Sequence, residues 1–170
     1  MKKIRVSFEE FQSSLDAGKN APFLLSLSEQ TDNELRLVLC GSKTGEAEKR
    51  EKIPPENPVD RKLQELLAGC RPILPDTANL WEVIIDRYIL YQVRNESFYS
   101  DNAQEAGSGN YIISFEKSKL LDYLSVSTIA SAFSDGSYFP YKWKHHGIYT
   151  QNHVIDVISD GAPEIYRYIV

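Results

Sequence analysis

The three histidines of this chain, His145, His146 and His153, fall close together, with Asp156 just beyond them. Those residue types could hold zinc or exchange protons, and their spacing decides which. The stretch reads as a hairpin, roughly 143–150 and 153–159, turning at Gln151-Asn152. Residue 150 then faces 153, and 146 faces 157. His146 and His153 share a face about four residues apart, roughly 13 Å at ~3.3 Å per residue, which is too far for one metal. His145 and Asp156 share the other face but stand about two residues out of register. The expectation is no metal and no cofactor, with the histidines as ordinary strand residues. A small hydrolase or phosphate-ester enzyme built on this chain would use His153 and Asp156 for acid–base work.

Two glycine-flanked motifs fail on spacing. Gly41-Ser42-Lys43-Thr44-Gly45 lacks the four residues that a phosphate loop places between its glycines, and no amphipathic helix follows directly. Ser108 between two glycines is not the G-x-S-x-G of a nucleophile elbow. A third feature is cationic and aromatic. Tyr141, Lys142, Trp143, Lys144 and His146 lie in a stretch from Ser137 to Val154 that has no acidic residue. Aromatics interleaved with cations can stack on planar ligands and neutralise anions, so this is a possible anion or ligand patch. The plainer expectation is a solvated edge strand whose lysines discourage pairing.

Acid collects elsewhere. Residues 69–136 carry five cations and nine acids, and the whole chain of 170 residues has a net charge of −5. Glu96, Asp101 and Glu105 fall in one loop beside Phe98 and Tyr99, a composition that can dock a basic protein. The acid excess argues against a dedicated nucleic-acid binder. No apolar run approaches the roughly twenty residues that a membrane helix needs. Lys2, Lys3 and Arg5 resemble the charged start of a signal peptide, but Glu9 and Glu10 interrupt before an apolar segment forms. Cytoplasmic localisation is expected, with Cys40 and Cys70 as reduced thiols.

Elements to hold these residues can be read locally. Ser7 and Glu10 form a capping box, and Phe8, Phe11 and Leu15 share a helical face that Gly18 ends. Strands follow near 22–28 and 34–40, then a charged loop over 41–57. Asn57-Pro58 opens a second helix that ends at Gly69. From Leu80 to Arg94 the odd positions run Trp81, Val83, Ile85, Arg87, Ile89, Tyr91, Val93. One long, bent strand fits that parity, because Arg is a poor residue for the positive φ of a tight hairpin. A polar loop over 95–110, a strand over 111–115, a helix over 116–126 and a last strand over 164–169 complete the chain. The expected fold is a single α+β domain, 1–170, with three helices and about seven strands in an antiparallel or mixed sheet.

Three segments, Tyr91 to Ser97, Phe115 to Tyr123 and His146 to Ser159, resemble parts of small uncharacterised bacterial proteins. In size and acidity such proteins are similar to immunity proteins that neutralise partner toxins. The resemblance implies a non-enzymatic protein-binding role against a basic partner, and it brings no catalytic residues. The other expectations are the small hydrolase and a small-ligand binding domain lined by tyrosines.

Overall fold

In the computed structural model, which describes residues 2–18, 20–31, 33–46, 57–100 and 104–169, the chain begins as strand β1 (Lys2–Val6). Ser7 ends that strand and caps helix α1 (Phe8–Gly18). Its Oγ accepts the Glu10 N–H at 3.1 Å, as the S-x-x-E spacing predicts. Phe11 and Leu15 of this helix are buried. Strands β2 (Phe23–Glu29), β3 (Leu35–Thr44), β4 (Ile73–Ile85) and β12 (Glu164–Ile169) join β1 in an antiparallel sheet of order β1-β12-β4-β3-β2. A second antiparallel sheet holds β5 (Tyr88–Asn95), β6 (Ala106–Gly109), β7 (Ile112–Lys117), β10 (Lys144–Tyr149) and β11 (His153–Ser159), in order β5-β11-β10-β7-β6. Strands β8 (Ser131–Ala132) and β9 (Tyr138–Phe139) form a small separate hairpin.

Strand alternation places the core. Leu35, Leu37, Leu39, Trp81, Val83, Ile85 and Ile165 from the first sheet meet Ile112, Ile148, Ile155 and Val157 from the second in one buried cluster. Phe11 adds its ring edge-on to Trp81, with centroids 5.6 Å apart. The other face of the second sheet is covered by helix α3 (Lys119–Ser127), whose Leu120 and Leu124 bury with Ala130 and Ile158. Helix α2 (Pro58–Ala68) is capped by Asn57, whose side chain accepts the Asp60 N–H at 2.9 Å. It buries none of its residues, and Leu66 remains 67% exposed.

The α+β class and three helices stand, but the described residues hold twelve strands, more than the seven expected. Four of the extra strands, β1, β6, β8 and β9, lie where no strand was expected, and two further corrections concern expected elements. The single strand over 80–94 is two strands in two sheets, with the corner at Asp86-Arg87. Arg87 takes a φ of 49°, the left-handed region thought too costly for it. Tertiary contacts hold it there: Asp86 Oδ1 accepts its N–H at 2.8 Å, Tyr141 Oη donates to its carbonyl at 2.7 Å, and its guanidinium pairs with Asp160. The second correction is at 41–44, expected as loop. These residues extend β3 and pair with Asp76 to Ile73, beyond a register shift at Cys40/Gly41. Residues 47–56 of that expected loop lie outside the described residues. The hairpin expected over 143–150 and 153–159 has the register that its turn predicts, with His146 opposite Val157.

Among the described residues no helix is long and apolar enough to cross a membrane.

Candidate functional site

Parity along β11 separates the two residues proposed for acid–base work. Val157 and Ile155 share the side of His153 and enter the core between the sheets, while Asp156 turns to the α3 side with Ile158. His153 and Asp156 are therefore not brought together. Asp156 meets His145 instead, Nε2 to Oδ1 at 3.1 Å, across the two-residue offset. The position opposite Asp156 is Gly147, where any Cβ would come within 2.9 Å of the Phe115 ring. His145 stacks on that same ring at 4.5 Å, so a side chain at position 147 would crowd this corner.

A continuous polar series results. Ser118 caps α3, its Oγ accepting the Leu121 N–H at 3.2 Å, and the same Oγ lies 2.8 Å from His145 Nδ1. The two ring nitrogens of His145 thus join Ser118 Oγ on one side to Asp156 Oδ1 on the other, so neither is left without a partner. Gln92 Nε2 and both Arg94 Nε and Nη2 donate to Asp156 Oδ2, at 3.0, 3.0 and 2.7 Å. Burial pushes the Asp156 carboxyl up, but the hydrogen bonds from His145 and Gln92 and the Arg94 charge together hold it below its ordinary value. Arg94 in turn lies over the Tyr99 ring at 5.3 Å, and Tyr99 and Tyr149 meet at their hydroxyls, 3.2 Å apart.

Serine, histidine and aspartate in hydrogen-bonded series invite a hydrolase reading, and two observations oppose it. Ser118 is 1% exposed, so no substrate carbonyl reaches its Oγ. Its lone pair already serves the helix N-terminus. The series fixes α3 to the sheet. Sequence reading missed Ser118 because the helix was expected from 116, inside what proves to be β7. A serine just before an apolar helical run was the available signal. Ser118→Ala should lower stability by about 1–2 kcal/mol, because it removes a cap and a buried partner together. Chemical denaturation measures this, and a loss under about 0.3 kcal/mol would contradict the role given to the serine.

Two open cavities flank the Phe115–His145 pair. One, of about 360 Å³, is lined by Arg94, Lys119, Tyr123, Tyr149 and Asp156. The other, about 620 Å³, takes Lys142, Trp143 and Lys144 of the cationic aromatic segment. Two expected members of that patch are elsewhere: Tyr141 is bound to the Arg87 corner, and buried His146 points to the core side with its Nδ1 3.2 Å from Ser114 Oγ.

The expected partner loop is also redistributed. Glu96 and Phe98 sit on a one-turn 3₁₀ helix, Glu96–Phe98, capped by Asn95 Oδ1 accepting the Ser97 N–H at 3.0 Å. Phe98 is 85% exposed. Tyr99 is half-buried against Tyr149, and Glu105 is half-buried, accepting the Lys119 N–H at the start of α3 at 3.0 Å. Asp101 lies outside the described residues. Among the described residues the acids of 69–136 do not all share one face. Glu82, for one, is buried in the first sheet, paired with Lys3 and Arg36, while Asp135 sits beside the β8–β9 hairpin.

No protein family, curated protein or solved structure matches this chain.

Proposed function

We propose that this chain is a non-enzymatic protein-binding module that docks its partner through the turn bearing Glu96 and Phe98. The exposure of Phe98 carries the reading. A phenyl ring 85% exposed on a capped turn costs little to order on binding, and aromatic anchors of this kind dominate interface energetics. The turn is held from below, because the next residue, Tyr99, packs on Tyr149 and under Arg94. Glu96 beside the ring and the net charge of −5 favour a basic partner, and an immunity-type inhibitor of a basic toxin is the instance that best fits them.

Phe98→Asp should leave stability within about 0.5 kcal/mol, since the ring is exposed, and weaken partner affinity about tenfold or more. The experiment cross-links tagged wild type and Phe98→Asp in their native cells and compares what each recovers. A basic protein held by the wild type and lost from the variant supports the reading. Equal recovery by both, or no specific partner for the wild type, overturns it.

A further inference from the structure

We infer that the cavity of about 620 Å³ beside α3 binds a small anion with a planar aromatic body. Its volume lies inside the range of about 300–1,000 Å³ usual for small-molecule sites. Leu121 and Leu124 of α3 line one wall. Tyr138 and Trp143 line another, meeting edge to face with ring centroids 4.9 Å apart. Flat apolar matter fits between such walls, where it displaces water from aliphatic and aromatic surface.

The charge at the rim selects the anion. Lys142 and Lys144 line the cavity and make no ion pair among the described residues. Several other cations are engaged by carboxylates: Lys3 and Arg36 by Glu82, Arg87 by Asp160, Arg94 by Asp156. Among the described residues Glu116 is the single acid on the cavity wall, so the two lysines leave that wall net positive. A sulfonate, phosphate or carboxylate on an aromatic ring would meet both demands at once. The site does not involve Phe98, so its fate is independent of the partner proposal.

Two dyes of nearly the same shape separate the contributions: 8-anilinonaphthalene-1-sulfonate, which is anionic, and neutral N-phenyl-1-naphthylamine. The anionic dye should bind at one equivalent per chain. Lys142→Gln with Lys144→Gln should weaken it about tenfold or more while changing the neutral dye less than about twofold. Ser125→Trp, which fills the cavity from the exposed side of α3, should remove both dyes. Thermal melts of the variants, unchanged from wild type, show that the fold is kept. Absence of saturable binding, an anionic dye indifferent to the lysine changes, or dyes that survive Ser125→Trp would each overturn the inference.

Discussion

Asp156→Ala is expected to destabilise the protein by about 3–5 kcal/mol, the range for removing one partner of a buried ion pair. Asp156 is 2% exposed and accepts four hydrogen bonds, from His145 Nε2, Gln92 Nε2 and the Arg94 Nε and Nη2. Alanine leaves a buried imidazole facing an apolar gap and a guanidinium without its counter-charge. Arg94 can turn partly to water, since its side chain is 39% exposed, which favours the lower end of the range. Arg94→Met should then cost less in the Asp156→Ala background than in wild type, because the two act as one unit. Urea denaturation of the four proteins in the cycle gives both numbers. A loss under about 1 kcal/mol for Asp156→Ala would mean that the network contributes no more than an exposed polar side chain does.

The same carboxylate sets an acid limit. Its folded pKa lies below the ordinary value. The unfolded state therefore takes up the proton first as pH falls. The contribution of Asp156 is present above the ordinary carboxylate value and is lost as pH drops through the folded one.

His146 should dominate the milder acid range. The residue is 3% exposed, and burial lowers its pKa from 6.5 to about 4. The nearby charges of His145 and Lys144 push the same way, while the Gly161 backbone offsets part of the shift. Above pH 7 the ring is neutral in both states and stability is unaffected. Between 6.5 and about 4 the unfolded chain binds a proton that the folded chain refuses, so stability falls with pH. At about 1.4 kcal/mol per pH unit, the loss accumulates to about 3 kcal/mol across that window. The measurement is the stability difference between wild type and His146→Leu at several pH values, which removes the background from other groups. That difference should shift against the wild type by about 3 kcal/mol from pH 7 to pH 4. A His146 resonance titrating near its ordinary value, or a pH-independent difference, would refute the assignment.

The sequence by itself determined what depends on neighbours along the chain. The Ser7–Glu10 box, the Asn57-Pro58 cap and the Gln151-Asn152 turn each involve residues a few positions apart, so their chemistry is complete in the local text. The register of the 144–159 hairpin followed from its turn, because pairing is counted outward from it. Only the tertiary structure decided where those elements go. Trp81, Val83 and Ile85 alternate toward the core from one sheet and Tyr91 does so from the other, so parity alone could not reveal the corner between them. Arg87 holds a left-handed conformation there because Asp86, Tyr141 and Asp160 support it, and two of those three are distant in sequence. The Ser118–His145–Asp156–Arg94 series was hidden for the same reason. Its members come from a helix cap and three strands, and they meet because side chains span an offset that backbone register alone counts as a separation.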